Sequence, residues 1–139
     1  MCLDSLAEIS TTEGEAYKIF TVEDTKLKNL YEQREQEYIY SEEEWLIDKN
    51  NINIRIGYIH PPNQYLTGFH CYKKQTQALT ELDYLKMIRE AALPPRWRNF
   101  VIRKVLYREV TAQGSGGTGI KVEVVVARQI FICKEDLSE

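Results

Sequence analysis

The residues with the greatest chemical capacity lie together in Thr67-Gly68-Phe69-His70-Cys71-Tyr72. An imidazole, a thiol and a phenol in succession could supply an acid–base group, a nucleophile and a hydroxyl donor. His60 and His70 are the chain's two histidines, so an enzyme of the common acid–base kind must use one of them, a tuned carboxylate or a thiol. Strand periodicity places His70 and Tyr72 on one face and Cys71 on the other. A Cys–His pair therefore cannot be built from these neighbours, and the thiol would need a distant base. The competing reading is a half-buried histidine satisfied by hydrogen bonds. His60, His70 and Cys71 lack the closely spaced ligand pairs of a structural zinc site, so no metal is expected.

Two further features invite a chemical reading. Gly114-Ser115-Gly116-Gly117-Thr118-Gly119 resembles a phosphate loop, but Ile120 precedes Lys121, no Ser or Thr follows it, and a strand follows where a helix is required. A flexible hairpin tip is expected. Cys2, once Met1 is removed, would carry an amine beside a thiol, as N-terminal nucleophiles do. The polar segment after it does not promise the pocket such a group needs.

Arg89, Arg96, Arg98, Arg103, Lys104 and Arg108 are interleaved with Trp97, Phe100 and Tyr107. Cations alternating with aromatics can grip a single-stranded nucleic acid by phosphate pairing and base stacking. An overall acidic chain, pI about 5.5, favours instead an anionic protein surface or the chain's own acidic residues. Those acids are segregated. Residues 1–48 hold 13 acids and 4 bases, giving −9; residues 49–108 hold 3 and 11, giving +8; residues 109–139 hold 5 and 3, giving −2, which sum to the −3 of the whole. Folding can either present two faces of opposite sign or interleave the two halves.

With 139 residues, 43% of them apolar, the chain can bury one core, and the expectation is a single domain over 1–139. No apolar run approaches the ~18 residues of a membrane span. MCLDSLAEIS lacks the basic-then-apolar order of a secretory signal. Cys2, Cys71 and Cys133 are an odd, unpaired set, which points to a reducing, cytoplasmic setting.

These residues need positioning elements. AYKIFTV (16–22) reads as a buried strand. KLKNLYEQREQEY (26–38) has apolar Leu27, Leu30 and Tyr31 at helical spacing and predicts one or two helix turns, although residues 24–48 also admit strands. Ser41-Glu42-Glu43-Glu44 reads as an acidic turn or a helix start. NINIRIGYI (51–59) alternates as a strand, His60-Pro61-Pro62-Asn63 must turn, and LTGFHCY (66–72) is one apolar run with a glycine inside. Ala78, Leu82, Leu85 and Ile88 predict an amphipathic helix over about 76–92 with Thr76 as its N-cap, ended by Leu93-Pro94-Pro95. Residues 98–111 and 118–133 predict a hairpin around AQGSGG, its second strand running from a sheet edge into the centre. The expected class is α+β, a mainly antiparallel sheet with a C-terminal β-hairpin and one principal helix.

The MCL start, the strand YKIF (17–20), the motif Gly68-Phe69-His70-x-Tyr72 with Ala78 in the next helix, and the closing hairpin are similar to small uncharacterised proteins of phages and bacteria. That likeness covers about two-thirds of the chain and implies a small cytosolic or host-cell-acting protein, with no activity attached. More distantly, the order of elements resembles the ADP-ribosyltransferase fold. There a basic strand residue, a G-x-[YH] strand before an Ala-bearing helix and a late Glu surround NAD. The resemblance places Lys18, Gly68, His70, Tyr72, Ala78 and Glu123 in those roles, with His70, Tyr72 and Glu123 catalytic. The leading expectation is non-catalytic: a phage-encoded accessory protein that binds a host macromolecule, an acidic protein in preference to a nucleic acid, through Lys18, Arg96, Trp97, Arg98, Arg103 and Arg108, with no cofactor. The alternatives are an NAD-handling enzyme and a single-strand nucleic-acid binder.

Overall fold

A long hairpin frames the molecule: β9 (Asn99–Gly116) and β10 (Val122–Asp136). The remaining strands are β1 (Leu3–Leu6), β2 (Glu13–Glu23), β3 (Lys26–Asn29), β4 (Ile39–Tyr40), β5 (Trp45–Ile47), β6 (Asn53–Arg55), β7 (Gln64–Leu66) and β8 (Phe69–Tyr72), and α1 spans Gln75–Ala91. This computed structural model describes residues 3–23, 26–29, 39–48, 53–55, 64–66, 68–91, 99–116 and 122–137. The α+β class and the C-terminal hairpin are as the sequence predicts. Among the described residues no helix is long and apolar enough to cross a membrane.

All pairings among the described residues are antiparallel, and those of the main sheet close on themselves. β2 pairs with β9, β9 with β10, β10 with β8, and β8 returns to β2 through Tyr17 opposite Tyr72. β3 and β4 extend the sheet beyond β2, and β5 pairs with β10 beyond β8. β6 and β7 form a separate pair.

Alternation then sorts side chains onto two buried faces. One holds Ile19, Tyr72, Ile102, Val122, Val124 and Val126 beneath Ala78 and Leu82 of α1. The other is rolled inward and encloses Ala16, Phe20, Leu27, Cys71, Val105, Tyr107, Val125 and Ile130. Tyr40 bridges this interior edge-on, its ring 5.5 Å from Phe20 and 6.0 Å from Phe69, within the favourable range for aromatic pairs.

Several expectations need correcting. The residues 26–29, expected as helix, form β3. Hydrogen bonding to Phe20–Glu23 and burial of Leu27 outweigh a weak local pattern; residues 30–38 lie outside the described residues. Ser41–Glu44 is a turn, with Glu43 in the left-handed region at φ 56° and its N–H donating to the Ile132 carbonyl. LTGFHCY is two strands of different sheets, separated around Gly68. α1 begins at Gln75, so Thr76 is inside its first turn, and the Lys74 carbonyl accepts the Ala78 N–H. The stretch Ala112–Gly116 is strand, not hairpin tip, because β1 lies against it with Leu3, Ser5 and Leu6 opposite Gly116, Ser115 and Gly114. A Cβ at Gly114 would collide with the Ser5 carbonyl, so glycine here permits strand approach, not flexibility. Of residues 51–59, 53–55 are strand and the others lie outside the described residues, as do Cys2 and His60.

Candidate functional site

Lys18 sits on the interior-facing series of β2 with Ala16 and Phe20, and is 8% exposed. Its Nζ donates to the His70 carbonyl at 3.0 Å and lies 5.8 Å from the Phe20 ring centroid. Burial lowers its pKa, partly opposed by Cys71 and Asp48. The Cys71 thiol lies on the same interior, wholly buried, and burial pushes its pKa up to about 11, with the nearby Lys18 amine opposing that rise. A thiol so disfavoured as thiolate is a poor nucleophile near neutral pH.

His70 and Tyr72 occupy the opposite face, as strand alternation requires. Nε2 of His70 is 2.9 Å from the Tyr65 hydroxyl, and that oxygen accepts the Leu3 N–H at 3.1 Å. Burial, with Lys18 adding to it, pushes the His70 pKa down to about 3, so the ring is neutral at physiological pH.

Glu123 is elsewhere again. It is exposed at the start of β10, its carboxylate 3.8 Å from Lys74 Nζ and its N–H donating to the Gln77 side chain. Lys18 thus shares the His70 peptide but not the face of the His70 ring, and Glu123 turns to the α1 N-terminus. The structure does not gather Lys18, His70 and Glu123 about one space.

The basic cluster divides likewise. Lys18 and Arg103 are register partners but reach in different directions. Arg103 donates to the carbonyls of Cys133 and Lys134, with Glu42 3.6 Å away. Lys104 pairs with Glu15 at 3.2 Å, and Lys134 lies 3.9 Å from Glu43. The acidic first third therefore supplies partners to cations of the hairpin: here the segregated charges interleave. Arg96, Trp97 and Arg98 lie outside the described residues.

Arg108 differs from the other cations of β9. Its Nε donates to the Gln129 side chain at 2.6 Å, and its guanidinium carbon stands 3.9 Å from the Trp45 ring centroid. Phe131, cross-strand from Trp45, brings its ring to 5.8 Å. Trp45 remains 37% exposed and Ile47, two residues along the same face of β5, 53%. Leu46 between them points inward.

No protein family, characterised protein or solved structure matches this chain. Among the described residues no three His, Cys, Asp or Glu side chains are grouped to hold a metal ion.

Trp45 and Phe131 were not among the residues the sequence singles out. The signal was faint: Trp45-Leu46-Ile47 is an apolar triplet after three acids, and only strand alternation turns two of the three outward.

Proposed function

We propose that this chain is a non-catalytic, phage-encoded accessory protein that binds a protein of the host cytoplasm through the outer face of β5, β9 and β10. The observation that carries this reading is the Trp45 ring, exposed yet in contact with both the Arg108 guanidinium and the Phe131 ring. Tryptophan and arginine dominate the energetics of protein interfaces because a large ring, already ordered, loses little entropy on burial. Beside it Ile47 offers further apolar area, and Arg108 offers its charge to a carboxylate of the partner. An acidic partner with an apolar centre fits this combination.

The same geometry lends no support to the NAD-handling alternative, since Lys18 is enclosed and Glu123 stands apart from His70. Nucleic-acid binding draws no support from Arg103 and Lys104, whose charges already have internal carboxylate partners.

The test is capture from a host-type lysate by immobilised wild-type protein, Trp45→Ala, Arg108→Glu and the remote exposed control Met87→Ala. At least one protein retained by wild type and Met87→Ala, and reduced about tenfold by the other two variants, is expected. Equal recovery by all four would refute the assignment of this face.

A further inference from the structure

We propose that His70 is an acid-operated latch whose protonation detaches strand β1 from the sheet and uncovers the Gly114–Gly116 stretch of β9. The geometry is a chain of hydrogen bonds through three segments distant in sequence. A neutral ring protonated at Nδ1 presents Nε2 as an acceptor to the Tyr65 hydroxyl 2.9 Å away. The Tyr65 O–H of β7 fills that acceptor, and its oxygen takes the Leu3 N–H of β1. Leu3 and Tyr65 are both buried, so neither group has ready access to water as a substitute.

A second proton on the ring converts Nε2 into a donor facing a hydroxyl arranged to donate. The surroundings favour the neutral ring. From β2 comes the Lys18 amine, on the carbonyl of the same residue; from β7 the Tyr65 phenol; from β8 itself Tyr72, on the same face of the strand. Val126 is the cross-strand neighbour on β10, and α1 contributes Glu81 to the buried stripe that includes Ala78 and Leu82. Burial above all, with the Lys18 amine adding to it, opposes a charge on the ring. Relief comes by hydrating the imidazolium, which requires the Tyr65–Leu3 cover to leave.

The remainder of β1 holds weakly enough to follow. Its pairing with β9 extends over Leu3–Leu6, with an irregularity between Leu3 and Ser5, supplemented by the Ser5–Ser115 hydroxyl contact and the Ala7 N–H to Gln113. β2 by contrast pairs with β9 over ten consecutive residues, Glu13–Val22. Acid should therefore release β1 before the β2–β9 ladder opens.

Hydrogen exchange of the full chain at pH 7.5 and 4.5, corrected for intrinsic rates, tests this. At pH 4.5, two units below the ordinary histidine pKa, the opening constant of residues 3–6 should rise by up to about 100-fold, while residues 101–107 stay protected. His70→Gln, which cannot take up the proton, should keep residues 3–6 equally protected at both pH values. Unchanged protection of residues 3–6 in wild type, simultaneous loss across 101–107, or an equal acid response in His70→Gln would each overturn the latch. Should His70→Gln fail to fold, an NMR titration of wild type decides: the Leu3 amide must shift in step with the His70 ring. A ring that titrates near 6.5 while Leu3 is unmoved would overturn the proposal.

Discussion

The Arg108 guanidinium carbon lies 3.9 Å from the centroid of the Trp45 ring, joining β9 to β5 across β10. The two strands are not hydrogen-bonded neighbours, so this stack is a side-chain tie between them. A half-exposed cation–π contact of this kind contributes about 0.5–1 kcal/mol. Arg108→Ala should lower stability by about that amount in urea, and Arg108→Lys should recover only part of it, since an ammonium lacks the flat face that stacks. Full recovery by Lys would reduce the contact to simple charge.

The two neighbouring cations of β9 should behave differently from each other. Arg103 is largely buried, bonded to the Cys133 and Lys134 carbonyls and beside Glu42. Arg103→Gln should cost about 1–3 kcal/mol, because carbonyls and a carboxylate lose their donor. Lys104, in a solvent-exposed pair with Glu15, should leave the urea midpoint unchanged when replaced by Gln. Comparable losses at both positions would contradict the division between interior and surface cations.

Two backbone positions carry opposite predictions. A Cβ on Gly68 would stand 2.6 Å from the Ala127 carbonyl oxygen, so Gly68→Ala must push β8 from β10 and should destabilise by about 2 kcal/mol or more. Glu109 holds φ at 58°, where a side chain costs about 1 kcal/mol or more. Glu109→Gly should therefore raise the thermal midpoint, despite the entropy glycine adds to the unfolded chain. A gain at Gly68 or a loss at Glu109 would be the wrong sign.

Cys71 ties stability to alkaline pH. Its folded pKa of about 11 lies above its ordinary value of 9.0, so the folded state holds the proton longer. The corresponding stability is complete below pH 9 and declines as pH rises towards 11, by about 1.4 kcal/mol per unit within that window. Cys71→Ala should flatten this decline by about one proton. In native protein at pH 8, a thiol reagent should label the partly exposed Cys133 well before Cys71.

Much of the frame was legible in the sequence, for identifiable reasons. Ala78, Leu82 and Leu85 marked α1 to within a residue at each end, and the apolar run Val124–Ala127 marked a strand buried on both faces. The alternation that set Cys71 apart from His70 also held. What escaped was whatever depends on distant pairing. Residues 26–29 become a strand only because β2 offers an edge, and Gly114 serves close approach only because β1 arrives from more than a hundred residues away. The charge asymmetry was visible in the sequence, but its interleaving through Arg103–Glu42 and Lys104–Glu15 depends on the sheet register. Trp45 was hidden for the same reason, since its two neighbours, Arg108 and Phe131, come from the far end of the chain.

Hydroxyl-radical footprinting of the protein, free and bound to the partner captured from lysate, tests the proposed interface most directly. Oxidation of Trp45 and Phe131 should fall several-fold on binding while Met87, 59% exposed on α1, reacts as before. Shielding of Met87 with Trp45 left reactive would contradict the account.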